Sequence, residues 1–153
     1  MKHELTYDEA LHRAAAYCTA SEKCAFDVSE KLSSWGVSEE ESEKIIAYLT
    51  KENFISEERF ACAFVNDKFR FNKWGRIKID YALRAKNIST EVIQSALAGI
   101  DENEYSDTLT GLLKAKLRGL QYKDEYDKRA KLFRFAQGRG FESKEIQKSL
   151  QVI

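Results

Sequence analysis

The segment Lys68–Lys86, KFRFNKWGRIKIDYALRAK, concentrates the side chains of this chain that could hold a charged partner. Seven basic residues (Lys68, Arg70, Lys73, Arg76, Lys78, Arg84 and Lys86) stand against one acid, Asp80, with Phe69, Phe71, Trp74 and Tyr81 between them. Cationic groups among aromatic faces match a phosphate backbone, and they match an acidic protein groove equally well. Helical spacing offers a plainer use for some of them. Arg76 with Asp80, and Asp80 with Arg84, are i,i+4 pairs worth roughly a few tenths of a kcal/mol each. Most of the aromatics are expected in the core. One aspartate does not account for seven cations, and a second basic stretch follows at Lys128, Arg129, Lys131, Arg134 and Arg139.

Residues for bond-making chemistry do not assemble. The only histidines, His3 and His12, are too far apart to share a helical turn, so they do not read as a metal pair. There is no GxxxxGK[ST], no GxGxxG following a strand and no HExxH. The run Glu39-Glu40-Glu41 opens a helix, where carboxylates favour the positive end of the dipole. The expectation is a binding protein rather than an enzyme, with no cofactor and no metal.

The elements that must position these residues are helices. Proline, the usual helix breaker, is absent from all 153 residues, and no segment alternates β-branched and polar residues for long. Three landmarks recur, each a residue tolerant of the left-handed conformation followed by an apolar one: Trp35-Gly36-Val37, Lys86-Asn87-Ile88 and Arg139-Gly140-Phe141. A slide of 51 residues brings Ser21, Phe26, Val28, Leu32 and Gly36 onto Asn72, Ile77, Ile79, Leu83 and Asn87. A further slide of 53 brings Ile79, Asn87, Ile93 and Leu97 onto Leu132, Gly140, Ile146 and Leu150. A helical period near fifty implies stacked modules that lean on their neighbours for burial.

Each copy is predicted to hold an opening helix (6–18, 57–71, 105–120), a second helix (22–35, 73–86, 125–138) and a closing helix (39–52, 90–99, 143–151). Ser21 and Asn72 are the expected caps of the first two second helices, and residues 101–104 the expected linker. The copies are bounded as 1–55, 56–100 and 101–153. Under the alignment Arg76 and Lys78 fall on Arg129 and Lys131, whereas the first copy has Ala25 and Asp27 there. Stacked modules are expected to put the two basic pairs on one side.

The composition, 43% hydrophobic and 33% charged, is that of a globular chain, without the roughly 18 consecutive apolar residues of a membrane span or the apolar core of a signal peptide. Cys18, Cys24 and Cys62 follow no CxxC spacing and read as small buried thiols of a reduced, cytoplasmic protein. A formal net charge of zero hides an asymmetry: residues 1–58 carry 6 Lys/Arg against 13 Asp/Glu, residues 59–100 carry 8 against 3, and residues 101–153 carry 11 against 9. An acidic first third beside a basic middle suggests an oriented encounter with a charged partner.

The closing helices do not read as operator-reading helices, since SEEESEKIIAYLT is acidic and STEVIQSALAGI has no basic residue. The run Tyr48–Ser89 resembles the core signature of the RecX proteins, regulators of the RecA recombinase. The matching features are Ser56-Glu57-Glu58, Phe60-Ala61, Phe64-Val65, the basic residues that follow, Gly75, Ile79, Leu83 and the Lys-Asn-Ile stop. Arg129–Leu150 is similar to the family's C-terminal copy. Asn87 stands where glycine is usual, and Lys68 where arginine is expected.

The resemblance implies an all-α, elongated and curved array of three three-helix repeats. It also implies binding along the groove of the RecA–single-stranded-DNA filament, with suppression of ATP hydrolysis and strand exchange in recombinational DNA repair. The expected partner is thus the RecA filament, with single- or double-stranded DNA contacted through phosphates, no membrane, and a monomeric chain. Charge alone selects the expected contact residues: Lys68, Arg70, Lys73, Arg76, Lys78, Arg84, Lys86, Arg129 and Lys131. The competing expectation is a nonspecific DNA-binding protein that acts on nucleic acid directly; a plain scaffold leaves the charge split unexplained.

Overall fold

The computed structural model describes residues 4–153, which form nine α-helices and no strand. The first copy holds α1 (Tyr7–Ala20), α2 (Ala25–Ser34) and α3 (Glu39–Lys51); the second holds α4 (Glu57–Arg70), α5 (Arg76–Ala85) and α6 (Thr90–Ala98); the third holds α7 (Glu102–Arg118), α8 (Glu125–Gly138) and α9 (Ser143–Leu150). His3 lies outside the described residues, and His12 is exposed.

The three stops are left-handed as expected, with φ of 81° at Gly36, 63° at Asn87 and 96° at Gly140. Each then closes its helix with a long reverse bond: the N–H of Val37, Ile88 and Phe141 donates to the carbonyl of Leu32, Leu83 and Ala136 at 3.0, 3.2 and 3.2 Å. The apolar residue after each stop is thereby turned inward, and Ile88 and Phe141 are buried.

Helix starts depart from expectation in an informative way. Six helices carry a side-chain cap of their own, from Thr6, Ser38, Ser56, Ser89, Asp101 and Asp124. Asp101 accepts from the Glu104 N–H at 2.8 Å, so residues 101–104 are a cap and a first turn, not a linker. Neither Ser21, which ends α1, nor Asn72 caps a second helix. Helices α2 and α5 start three residues later than expected, behind Cys24 and Gly75, with no side-chain cap.

Their open ends are covered by the next copy instead. At α5 the N–H groups of Gly75 and Ile77 donate to the carbonyls of Arg139 and Gly140 at 2.8 and 3.0 Å, and the Arg76 N–H donates to the Tyr105 hydroxyl at 3.0 Å. At α2 the Ala25 N–H is directed at the Glu57 carboxylate. Orphan donors at a helix start need partners, and here the neighbouring module supplies them. Helix α8 has no following copy among the described residues and carries its own cap, Asp124, which accepts from the Asp127 N–H at 2.7 Å.

The buried side chains form two clusters. One joins the second and third copies through Phe69, Ile79, Leu83, Tyr105, Leu132 and Phe141, and it takes in Cys24 from the first. The other belongs to the first copy, around Val28, Leu32, Ile45 and Leu49. Of the cysteines, Cys18 and Cys24 are buried as expected, and burial foremost pushes the Cys24 thiol up to about 12. Cys62 is exposed, because it falls on the outer side of α4 between the buried Ala61 and Val65. No helix among the described residues is long and apolar enough to cross a membrane.

Candidate partner-binding surface

The basic residues singled out by charge divide into mortar and surface. Arg76 is mortar: its side chain is 19% exposed and forks onto Glu142 at 2.8 Å and Glu102 at 2.6 Å. Its guanidinium lies 3.9 Å from the centre of the buried Tyr105 ring, whose hydroxyl donates to the other Glu142 oxygen. Burial, with the Glu142 hydrogen bond, holds the Tyr105 hydroxyl far above its ordinary range. The expected Arg76–Asp80 pair therefore does not form, because two carboxylates of the third copy reach Arg76 first. Asp80 keeps only its other partner, Arg84, at 2.6 Å; Arg84 also donates to Thr90.

Lys86 is mortar at the other junction, 2.5 Å from Asp27 of the first copy and above the rings of Phe26 and Phe60. Arg139, its counterpart in the third copy, donates to the carbonyls of Asn72 and Lys73. The residue before each of these two stops thus reaches back to the preceding module. In the first copy that position is Trp35, which packs edge-on to Tyr17 at 6.5 Å.

Glu57 makes the first junction sensitive to pH. Burial first, then the carboxylates of Glu58 and Asp27, raise its pKa above 4.5, and one of its oxygens is buried without a partner. The folded state binds this proton more tightly than the unfolded chain does. The stability Glu57 contributes is therefore present below 4.5 and lost as pH rises through its folded value. Glu57→Gln is expected to raise Tm by about 1–3 °C near pH 7 and by nothing near pH 4. Thermal melts across that range check it; an advantage that persists in acid would contradict the assignment.

Of the remaining cations Arg70, Lys73 and Arg129 are exposed, and Lys68, Lys78 and Lys131 are half-buried. Lys68 and Lys78 lie 5.1 and 4.7 Å from the centre of the Trp74 ring, one on each side in sequence. Arg70 is exposed and loosely held, 3.6 Å from Glu104. Lys73 is exposed with φ of 55°, in the loop between α4 and α5. Arg129 is exposed, while Lys131 folds back on Asp127 at 3.2 Å and on the Gln121 carbonyl. The aligned pairs Arg76/Lys78 and Arg129/Lys131 therefore sit in different surroundings, since among the described residues the first pair alone meets a following copy.

Charge missed the apolar half of this surface. Phe69 is buried, but Phe71 is 79% exposed, Ile77 56% and Tyr81 79%. The signal was present in the spacing. Ile79 and Leu83 form one i,i+4 pair and Ile77 and Tyr81 another, offset by two residues, which is about 200° around a helix, so one pair must face out. Ile77 and Tyr81 are thus exposed on one side of α5, with the half-buried Lys78 on the same helix, and the exposed Phe71 and Lys73 lie in the segment that leads into it. In the third copy, α8 and α9 enclose a groove of about 810 Å³ lined by Tyr126, Arg129, Phe133, Arg134 and Leu150 among others.

Comparison with known proteins places this architecture. The model described as "RecX, second three-helix domain" matches residues 56–97, and "RecX, third three-helix domain" matches residues 103–150. The "Regulatory protein RecX" of Clostridium perfringens is 31% identical over 118 residues, 76% of this chain and 55% of the relative. That of Prosthecochloris aestuarii is 30% identical over 147 residues, 95% of this chain and 93% of the relative. This chain thus spans about half the length of the clostridial relative (55%) and nearly all of the other. Among solved structures, RecX from Lactobacillus salivarius superposes with a TM-score of 0.84 at 19% identity, covering 95% of this chain and 94% of that one. A second, titled regulatory protein RecX, gives 0.86 at 21% identity, covering 95% and 73%.

Proposed function

This chain belongs to the RecX family, and from that premise we propose that it is a regulator that binds the RecA–single-stranded-DNA filament and restrains its ATPase and strand exchange. It acts by binding, without catalysis, cofactor or metal, as a single chain in the cytoplasm. The observation that carries the reading is the outer face of the second copy. Exposed Phe71, Ile77 and Tyr81, interleaved along the chain with exposed Lys73 and half-buried Lys78, offer apolar anchors among cations. Such a face suits a partner that is both acidic and apolar, as a protein–DNA filament is. Contact across neighbouring protomers shifts the filament between its states only by the difference in affinity for them.

The test is RecA ATPase on single-stranded DNA, with and without this protein. Wild type is expected to inhibit, and Lys73→Glu/Lys78→Glu is expected to need at least about tenfold more protein for the same inhibition. Arg76 is left intact, because reversing it would break the junction between copies. Full inhibition by the variant removes this face from the interface; no inhibition by wild type removes the filament reading.

The Lys68, Trp74 and Lys78 arrangement keeps direct DNA binding as a second reading, since cations beside an aromatic also suit single strands. Salt dependence separates the two. Binding to bare single strands through Z phosphates gives a slope of about −0.7Z, and a steep slope with no preference for filaments would favour the second.

A further inference from the structure

We propose that the groove between α8 and α9 is the seat of an acidic amphipathic helix of the filament protein, a proposal that rests on the filament reading above. The floor of the groove is apolar, formed by Ala130, Phe133 and Leu150. Its rim carries Arg129, Arg134 and Tyr126, the last 84% exposed. Among the described residues neither arginine has a carboxylate within 4.0 Å, whereas the neighbouring Lys128 and Lys131 do. Lys128 is held by Glu125 at 3.1 Å and Lys131 by Asp127 at 3.2 Å. Two unpaired guanidiniums above an apolar floor call for carboxylates on either side of an apolar anchor. A helix carrying an apolar side chain and acidic residues three or four positions away has that spacing.

The same neutralised lysines argue against a nucleic-acid strand as the occupant. A groove that tracks phosphates needs a row of free cations, and here the row is broken by Glu125 and Asp127. Two free arginines alone would give a salt slope of only about −1.4 on single strands. The groove is also a consequence of the repeat. Ala130 and Arg134 are the counterparts of Ile77 and Tyr81, the exposed pair of the second copy. The apolar face of copy two and the groove of copy three are therefore equivalent places on successive modules.

The test compares wild type, Arg129→Glu/Arg134→Glu and Ala130→Trp for binding to RecA filaments assembled on a dT oligonucleotide with a slowly hydrolysed ATP analogue. The same proteins are titrated onto the bare oligonucleotide. Ala130→Trp fills the groove without changing charge, and circular dichroism melts show that each variant is folded. Both variants are expected to bind filaments at least about tenfold more weakly and the bare strand as wild type does. Wild-type filament binding by either folded variant overturns the groove proposal and leaves the filament reading standing. A parallel loss on the bare strand shows a phosphate site and also overturns it. A wild type that ignores filaments overturns both readings.

Gln151 also lines the groove, and a photocrosslinker at Gln151→Cys, in a Cys62→Ser background, gives an independent readout. Cys18 and Cys24 are buried, so labelling is confined to the groove. The expected adduct is a RecA peptide rich in acidic residues; an adduct on the oligonucleotide, or on a basic peptide, overturns the proposal.

Discussion

Gly75→Ala is expected to lower Tm by about 10 °C and to separate the third copy from the second, an effect of about 3 kcal/mol. A Cβ at this buried position would sit 2.4 Å from the carbonyl carbon and oxygen of Gly140 and 2.5 Å from the amide nitrogen of Phe141. All three are backbone atoms of a stop held by its own reverse bonds, so no side chain can swing away. Relief requires the α5 start to retreat from the stop, and retreat breaks the bonds from Gly75 and Ile77 to Arg139 and Gly140. The freed N–H groups then have no side-chain cap to fall back on. Gly111→Ala is the matched control: it lies within α7 and its Cβ would meet nothing within 4 Å. There alanine is expected to stabilise by about 0.5–1 kcal/mol, because it loses less backbone entropy on folding. Thermal and urea melts of both variants check the pair. Equal effects at the two glycines would refute the close-approach account.

Arg76→Met is expected to cost about 2–3 kcal/mol, most of it through Glu142. The Glu102 pair adds little, since that carboxylate is 76% exposed and solvent already screens it. Glu142 is 30% exposed and shared with the Tyr105 hydroxyl, so losing Arg76 leaves a partly desolvated carboxylate beside a buried phenol. Arg76→Lys should recover only part of the loss, because an ammonium cannot fork to two carboxylates in different directions. The decisive measurement is a double-mutant cycle with Glu142→Gln. Coupling of at least about 1 kcal/mol is expected, and additive losses would remove the pair from the junction.

These two positions show what kind of information lay in the chain. The left-handed stops at Gly36, Asn87 and Gly140 were legible because a local backbone requirement restricts residue type at one position. Helical periodicity likewise marked Ile79, Leu83, Leu132 and Ile146 as core. The caps of α2 and α5 were not legible, since the atoms that satisfy them lie in the next module, 29 to 64 positions away by way of Glu57, Tyr105, Arg139 and Gly140. Ser21 and Asn72 had the right residue type, but neither cap was needed once a neighbouring backbone arrived.

The basic segment Lys68–Lys86 divides along the same line. Its composition set the expectation of a docking surface, and the sequence by itself determined an all-helical array of three repeats with membership in a family of regulators. Only the tertiary structure decided which cations are spent inside. Arg76 and Lys86 hold the copies together, whereas Lys73 remains exposed, as do Phe71, Ile77 and Tyr81, and Lys78 lies half-buried against Trp74. The reason is physical: periodicity and turn chemistry are local and are written in neighbouring residues. The partner of a charge is set by whichever opposite charge folding brings within reach, and for Arg76 that is Glu142 rather than Asp80.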